Sequence, residues 1–447
     1  MHSQKIKFSE RLGYGFGDLA SNLIWTATGM FLTFFYTDIV GISAAAVGTL
    51  LLIARVFDAF VDLGIGGLVD KTKSKYGKAR PWLKWFAIPY GIAGILLFTA
   101  PNFGPTGALI YAYITYLLVN VIYSAINVPY SALNSLITQD QYQRSVLNIF
   151  RMFCALVGML VITTMTLPIV DAFGGGKAGW SSTFIMFGVV SSVLFLITFR
   201  TTKERVTPSV VQKDIPIKRG FKALFRNKYW IIVVVLMLIG GISGAISNAV
   251  GIYYYQYIMN DRNLVGLLGL IGLVPIIIGL LFVAPIIKKY GKRNSMLVGL
   301  VIILIGCFIL LINPTSLSVI ITSILIKSIG SVPIAAAGFA LLADTIEYGE
   351  WKTGIRTEGL VYSAGSFGTK AGNGIGAATV GWLLAMGGYV GGQEVISATA
   401  SNTIEFMYIY IPIIFTVIQL LILIPYKLDK EYPEVIADLT KAKESIS

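Results

Sequence analysis

Histidine, cysteine and charge are all scarce in this chain. Its one histidine, His2, lies near the N-terminus, and its two cysteines, Cys154 and Cys307, each fall inside an apolar run. These positions argue against His/Cys metal sites, Ser-His catalysis and a disulfide framework. Charged residues make up 13% of the chain, whereas soluble domains contain roughly 25%. We therefore expect neither an enzyme nor a soluble protein, and we expect no cofactor.

Long apolar runs account for most of the sequence. Hydrophobic residues make up 55% of the 447 residues, and the mean hydropathy is +0.76. A helix needs roughly 20 apolar residues to cross a bilayer. Twelve such runs predict an all-α integral membrane protein with 12 transmembrane helices. The first run is too long to be a cleaved signal peptide. The predicted spans are 12–37, 43–69, 83–100, 107–133, 146–170, 180–199, 229–257, 264–287, 295–312, 317–343, 359–386 and 403–426.

Basic residues lie mostly on one side of these spans. If the N-terminus is cytoplasmic, the outer loops contain only Lys177 and Arg262 of the 35 Lys and Arg residues. The inner segments contain 29, counting Lys84 at the inner end of the third span. By the positive-inside rule, both termini are then cytoplasmic. The net charge of +13 favours a lipid bilayer, not nucleic acid, as the partner. Four basic residues fall within spans: Arg55, Arg151, Lys327 and Lys370.

A short basic motif occurs twice. KYGKAR at 75–80 and KYGKR at 289–293 each follow the second span of a six-span half. Two related bundles joined by a basic linker are the layout of major facilitator transporters, which bind substrate between the halves. We therefore divide the chain into a six-helix bundle (1–200), a cytoplasmic middle loop (201–228), a second six-helix bundle (229–426) and a cytoplasmic tail (427–447).

The second predicted span contains three charged residues, Arg55, Asp58 and Asp62. Their spacing places all three on one face of a helix. A charge at the bilayer centre costs about 2.5–3.5 kcal/mol, so these side chains must face the bundle interior, pair or bind a ligand. One interpretation is a structural ion-pair cluster. The other is a site for a coupling cation, because two carboxylates one turn apart suit Na⁺ or Li⁺, or H⁺ if one carboxyl is desolvated.

The first span carries Asp18, Asn22 and Trp25 on one helical face. A carboxylate and an amide hydrogen-bond hydroxyl groups, and an indole stacks on the C–H face of a pyranose, so this set suits a sugar. The alternative is that Asp18 pairs with a distant Arg or Lys during assembly. Further polar groups within spans are Tyr123, Ser124, Asn127, Tyr130, Arg151 and Lys370, and buried charges of both signs can re-pair when a ligand binds.

Five stretches also resemble one known family: GYGFGDLA, FFYTDIVGIS, LLIARVFDAFVD, YGKARPW and ADTIEYGEWKTGIRTE. In this order they resemble the glycoside–pentoside–hexuronide:cation symporters, the relatives of the melibiose permease. The resemblance implies a major facilitator fold in a bacterial inner membrane. It also implies cotransport of a small-molecule glycoside with a monovalent cation, H⁺, Na⁺ or Li⁺. We expect the carrier to function as a monomer.

The resemblance assigns roles to individual positions. It implies that Asp58 and Asp62 bind the cation together with Ser124, whose hydroxyl stands where the melibiose permease has a threonine. It implies that Asp18 and Arg151 contact the sugar. The other sugar-site positions it implies are Tyr123, Trp25, and Lys370 between the two sites.

Four positions depart from the melibiose permease. Asn127 replaces a sugar-binding aspartate, and Ser131 and Ala335 replace tryptophans. These changes favour a substrate other than melibiose, such as a glucuronide or a pentoside. Val61 replaces an asparagine between the two helix II aspartates, which favours H⁺ as the coupling ion.

A charged stretch at 344–358 ends the tenth predicted span. Together with Arg144 and the basic run at 75–80, it predicts an inner gate that closes by salt bridges, and the alternative is a solvated loop. Its charged residues in this role are Asp344, Glu347, Arg356 and Glu358.

Two other functions remain open on the sequence. A sugar exchanger or facilitator would keep the fold without needing the aspartate pair. A carrier of a lysolipid or a drug would be expected to have apolar walls in its cleft.

Overall fold

All regular secondary structure in the described part of the chain is helical. The computed structural model describes residues 6–206, 222–355 and 358–444. The helices in the first half are α1 (Phe8–Phe34), α2 (Ala44–Lys71), α3 (Arg80–Leu97), α4 (Gly104–Ile137), α5 (Gln141–Ala172) and α6 (Gly176–Thr201). Those that follow are α7 (Lys228–Tyr253), α8 (Leu264–Tyr290), α9 (Lys292–Leu310), α10 (Leu317–Thr353), α11 (Glu358–Met386), α12 (Ala398–Glu405), α13 (Ile411–Leu423) and α14 (Leu428–Glu444).

Three short π-helical segments adjoin these helices, at Phe35–Val40 after α1, Tyr254–Ile258 after α7 and Phe406–Tyr410 between α12 and α13. The first two follow the first helix of each predicted bundle. Their sequences, FYTDIV and YYQYI, both begin with aromatic residues. This is a second feature, besides the basic motif, that recurs in both halves.

Ten helical segments in the described ranges are long and apolar enough to cross a membrane. The prediction of an all-α membrane protein is confirmed to that extent. α3 and α11 coincide with the other two predicted spans, but their sequences are more polar. α3 includes Arg80 and Lys84, and α11 is rich in Gly, Ser and Thr. The total of twelve therefore stays a prediction.

The chain divides into two compact units. The first contains α1 to α6 and two segments from later in the sequence, Asp261–Leu267 and Gly381–Ala400. Within this unit, the second of these segments is held by hydrogen bonds to the helices of the first half. Tyr389 donates its hydroxyl to Asp38 Oδ1 at 2.7 Å, and the Trp382 indole N–H donates to Thr49 Oγ1 at 3.2 Å.

Two buried hydrogen bonds fix α1 within the first unit. The Tyr90 hydroxyl on α3 donates to the Ser21 carbonyl at 2.9 Å, and the Ser191 hydroxyl on α6 donates to the Ala20 carbonyl at the same distance. α1 also approaches α5 closely at Gly158. A Cβ added to this glycine would lie only 2.9 Å from the Asn22 Cβ. Small residues allow such close packing in membranes, where lipid provides no hydrophobic drive between helices.

Lys327, one of the four basic residues predicted within spans, lies on α10 in the second unit. Its ammonium is 5.7 Å from the centre of the Tyr408 ring, within the range of a cation–π interaction. Tyr408 in turn stacks on Tyr254 at 4.0 Å, and its hydroxyl is 2.8 Å from that of Tyr255. Lys327 thus lies over one ring of an aromatic group formed by the second and third π-helical segments.

The first basic motif forms the start of α3. The Glu204 carboxylate, from just after α6, accepts hydrogen bonds from the backbone amides of residues 78–80 at 2.8 to 2.9 Å. These amides are donors that a helix start leaves unsatisfied, and the helix dipole favours an anion there. Gly77 has a φ of 103°, and a side chain at this position would collide with Glu204. Arg80 donates to the Phe199 carbonyl at 2.8 Å.

The second basic motif is built in the same way at the start of α9. Asp429, in the first turn of α14, accepts a hydrogen bond from the Arg293 amide at 2.8 Å. Gly291 has a φ of 84°. The Arg293 guanidinium donates to the Ile424 carbonyl at 2.5 Å. A glycine, an acid and an arginine therefore join a helix start to the end of a later helix in each unit, as expected of a duplicated structure.

Glu204→Ala is expected to destabilise the first unit. The substitution leaves three amides at the start of α3 without their acceptor, and hydrogen bonds to a charged group contribute about 1.5–3 kcal/mol each when lost singly. We expect a lower midpoint in thermal unfolding of the detergent-solubilised protein. Glu394→Ala removes an exposed carboxylate and is the matched control. Equal midpoints for the two variants would contradict the capping role of Glu204.

Candidate functional site

Arg55, Asp58 and Ser124 form a buried polar cluster between α2 and α4, which we call the α2–α4 cluster. Asp58 is 1% exposed. Its Oδ1 accepts a hydrogen bond from the Ser124 hydroxyl at 3.1 Å, and its Oδ2 lies 4.0 Å from an Arg55 guanidinium nitrogen. The two oxygens of Asp58 thus have different partners, one neutral and one positively charged.

Asp62 lies one helical turn from Asp58 on α2 and is half-buried. The Arg55–Asp58 pair has no net charge, so a cation bound beside it needs a further carboxylate. Asp62 is the carboxylate that the helix places there, as the sequence spacing predicts. Among the described residues, no group of three or more His, Cys, Asp and Glu side chains is arranged to hold a metal ion.

An aromatic stack adjoins the α2–α4 cluster. The Trp25 ring on α1 is parallel to the Tyr123 ring on α4, with centroids 4.0 Å apart and an interplanar angle of 7°. The Arg55 guanidinium carbon lies 4.5 Å from the centre of the Trp25 ring. Arg55 therefore contacts both Asp58 and Trp25, and it connects the predicted cation residues to a predicted sugar residue.

Asp18 on α1 and Arg151 on α5 form an ion pair with a separation of 2.5 Å, which we call the α1–α5 pair. Their side chains are 14% and 27% exposed. Arg151 also lies 5.0 Å from the centre of the Tyr130 ring, and the Tyr130 hydroxyl donates to the Tyr14 carbonyl at 2.6 Å. The structure thus shows the pairing of Asp18 with a distant arginine that the sequence left as an alternative to sugar binding.

The two candidate asparagines differ in their hydrogen bonds. The Asn22 amide is used within α1, because it donates to the Asp18 carbonyl at 2.8 Å and accepts from the Thr26 hydroxyl at 2.9 Å. The Asn127 Oδ1 on α4 is buried and has no hydrogen-bond partner among the described residues. A buried acceptor without a partner costs about 1–3 kcal/mol, so Asn127 is the better placed of the two to accept a hydrogen bond from a ligand.

The remaining predicted residues lie elsewhere along the chain. Lys370 is half-buried on α11 in the second unit. Asp344, on α10 of that unit, is bound by the Lys292 ammonium at 2.6 and 2.7 Å, and Glu347 lies one turn beyond it. Arg144, in the first unit, donates to the Thr138 and Ser135 carbonyls at 2.8 and 3.3 Å. Arg356 and the Glu358 side chain lie outside the described residues, and the inner gate stays a prediction.

Two contacts of the site were missed on the sequence. The Arg55–Trp25 contact joins two helices, so no spacing within one helix indicates it. Lys292, the partner of Asp344, lies in the second basic motif, and no spacing within one helix relates it to Asp344 on α10. The repeat of that motif after α2 and α8 was the available signal for the Lys292 contact, because it marks a position where the chain turns back toward neighbouring helices.

A family model for MFS/sugar transport proteins matches residues 13–430. The chain is 38% identical to the isoprimeverose transporter of Lactiplantibacillus pentosus, over 98% of this chain and 92% of that protein. The chain belongs to the glycoside–pentoside–hexuronide:cation symporter family of the major facilitator superfamily. It is also 31% identical to the putative glycoside/cation symporter YagG of Escherichia coli (strain K12), over 97% of this chain and 95% of that protein.

The fold agrees with this family. A crystal structure of a D-xylose–proton symporter superposes with a TM-score of 0.66 at 14% identity, covering 96% of this chain and 99% of that chain. At this identity the likeness shows the major facilitator fold alone. The family match and these relatives confirm the resemblance that the sequence indicated. The members of this family are multi-pass membrane transporters, not enzymes.

Proposed function

We propose that this symporter imports a glycoside across a bacterial inner membrane together with a monovalent cation, by alternating access. The observation that carries the proposal is Asp58, a nearly fully buried carboxylate on a membrane helix, held by Ser124 and Arg55 next to an aromatic stack. A buried charge in a membrane is costly unless it is paired or binds something. The named relatives that transport isoprimeverose or glycosides with cations support a sugar substrate.

The proposed architecture has twelve spans in two six-helix bundles, at 1–200 and 229–426, with both termini cytoplasmic. The duplicated joints at Gly77 and Gly291 and the distribution of basic residues support it. The middle loop at 201–228 and the tail at 427–447 are then cytoplasmic, and the carrier functions as a monomer.

The proposed cation ligands are Asp58, Asp62 and Ser124. Their carboxylate and hydroxyl oxygens suit Na⁺ or Li⁺, and a carboxylate alone suits H⁺. Asp62, one helical turn from Asp58 on α2, supplies a second carboxylate to the bound cation. The loaded carrier then crosses the membrane without a lone uncompensated charge, which would be expensive to bury.

The proposed sugar residues are Asp18, Arg151, Asn127 and Trp25, with Tyr123 stacked on the Trp25 ring. Lys370, on α11 of the second unit, is proposed as a further sugar residue. Asp18 and Arg151 offer an acceptor and donors for vicinal hydroxyls. The unpartnered Asn127 Oδ1 accepts a further hydroxyl. Because Asn127 is neutral, the site suits a pentoside or a glucuronide, and it also admits a galactoside.

The proposal predicts that a glycoside binds more tightly when the coupling cation is present. Binding of isoprimeverose, phenyl β-D-glucuronide and a phenyl α-D-galactoside to the purified carrier is measured with and without Na⁺ at fixed pH, and then across pH without Na⁺. Coupled sites typically change each other's affinity about 5- to 150-fold. An effect of Na⁺ identifies sodium symport, and an effect of pH alone identifies proton symport. Tight sugar binding that responds to neither ion would contradict symport and favour a facilitator or exchanger.

A further inference from the structure

Both faces of the Trp25 ring are covered by protein groups. Tyr123 stacks on one face, with 4.0 Å between the ring centroids. The Arg55 guanidinium carbon is 4.5 Å from the centre of the Trp25 ring, and because Tyr123 fills the first face, Arg55 lies over the second. A sugar ring that stacks on Trp25 needs an aromatic face. It must therefore displace one of these two groups, and the long Arg55 side chain can move off the ring while Tyr123 stays stacked on the other face.

The same guanidinium neutralises Asp58. Its nitrogen lies 4.0 Å from Asp58 Oδ2, while Ser124 hydrogen-bonds Oδ1. A cation that binds Asp58 competes with Arg55 for this carboxylate and repels it by like charge. A bound cation therefore weakens the attraction that holds Arg55 beside α2.

We propose that Arg55 couples cation and sugar binding because both ligands displace it. This inference rests on the proposed function, since it requires a cation at Asp58 and a sugar at Trp25. When the cation takes the place of Arg55 at Asp58, the guanidinium loses its ion pair and its hold over the Trp25 ring weakens. When the sugar stacks on Trp25, Arg55 is moved from Asp58. Each ligand performs part of the displacement that the other requires, so each raises the affinity of the other by the same factor.

The chemistry of arginine suits this role. A guanidinium is planar, so it stacks on an aromatic ring while its nitrogens remain available to a carboxylate. The Arg55 side chain is 15% exposed, so water competes little for either contact. A lysine ammonium is a compact point charge and would keep the attraction to Asp58 without a stacked plane over Trp25.

Arg55→Gln tests the proposal because it predicts a gain of affinity. Without the guanidinium, Trp25 and Asp58 are both open to their ligands, so isoprimeverose should bind more tightly in the absence of cation. The affinity ratio with and without cation should fall from the wild-type value toward 1, and Na⁺ itself should bind more tightly. Titration calorimetry of the purified full chain in nanodiscs measures all three quantities. A loss of sugar affinity, or an unchanged ratio, would overturn the role of Arg55.

Two further variants keep the result interpretable. Lys177→Gln removes one positive charge on the outer side, where Lys177 contacts only Asn102 among the described residues, and should leave the affinity ratio unchanged. If Arg55→Gln does not fold, Arg55→Lys replaces it in the test. This variant should raise sugar affinity in the absence of cation and leave Na⁺ affinity near the wild-type value. Unchanged sugar affinity in Arg55→Lys would overturn the stacking role of Arg55. If the wild-type chain itself shows no cation effect on any sugar, symport fails as well, whereas coupling that survives in Arg55→Gln refutes only this inference.

Discussion

Asp58→Asn is expected to abolish accumulation of the glycoside against its gradient while leaving glycoside binding measurable. Asparagine keeps the size of the side chain and its contact with Ser124, but it removes the charge that holds a cation. The α1–α5 pair is not altered by the change, and the Trp25 ring stays in place, although Arg55 loses the charge at Asp58 that helps to hold it over that ring. Sugar can therefore still bind and equilibrate, but movement of the cation no longer drives it.

The expected effect is large because the driving force is electrical. Moving one charge through 100 mV is worth about 2.3 kcal/mol, which corresponds to roughly a 50-fold concentration ratio at about 1.36 kcal/mol per tenfold change. Purified carrier in liposomes with an imposed potential of about 100 mV should therefore reach up to this ratio when one cation is coupled. The Asp58→Asn carrier should reach equal concentrations inside and outside.

A matched control and a milder variant accompany this test. Glu394→Gln removes an exposed carboxylate and should accumulate sugar like the wild-type carrier. Ser124→Ala keeps the Asp58 charge but removes its hydroxyl partner. Cation affinity should fall about tenfold or more, because one hydrogen bond to a charged group is lost. If Asp58→Asn liposomes accumulate the glycoside as steeply as wild-type liposomes, Asp58 does not carry the coupling ion.

The fold was predictable where the sequence pattern repeats over long stretches. Apolar runs predicted the helices, and each copy of the KYGK motif lies at a helix start that binds a carboxylate from later in the chain, Glu204 in one case and Asp429 in the other. Helix ends were less predictable, since α4 and α10 extend well beyond their predicted spans. Those extensions are polar helical turns beyond the apolar run, and hydropathy does not record them.

The site was predictable within single helices and not between them. Helical spacing correctly related Arg55 to Asp58, because both positions lie on α2. The partner of Asp18 was not predictable by spacing, because Arg151 is 133 residues away along the chain. The resemblance named both residues as sugar contacts, but their direct pairing is a property of how α1 packs on α5. The occupied faces of Trp25 likewise depend on the packing of α1, α2 and α4.

Breaking the α1–α5 pair is the second change with a large expected effect. Arg151→Gln leaves the mostly buried Asp18 carboxylate without its partner, and removing one member of a buried ion pair costs about 3–5 kcal/mol. It also removes donors that the sugar would use. We expect both a lower unfolding midpoint and about a 10- to 150-fold loss of sugar affinity, since a hydrogen bond to a charged group contributes about 1.5–3 kcal/mol.

The double variant Asp18→Asn/Arg151→Gln separates a sugar site from a structural pair. Both charges are absent, so no uncompensated charge is buried and most of the lost stability should return. If the two residues bind the sugar, affinity should stay low in the double variant despite the recovered midpoint. If they serve only the packing of α1 on α5, sugar binding and transport should recover together with stability, and the assignment of Asp18 and Arg151 to the sugar would be wrong.

The pair formed by Asp171 and Arg262 provides the control for this cycle. It lies in the same unit, and its side chains are 36% and 33% exposed. Exposed ion pairs contribute about 0–1 kcal/mol, so Asp171→Asn/Arg262→Gln should change neither the midpoint nor sugar affinity appreciably. Thermal unfolding and sugar titration of the two double variants, measured side by side, therefore test whether the large effect belongs to the buried pair. A similar loss of sugar affinity in both would show that charge removal anywhere in this unit weakens binding, and it would remove the evidence for direct contact by Asp18 and Arg151.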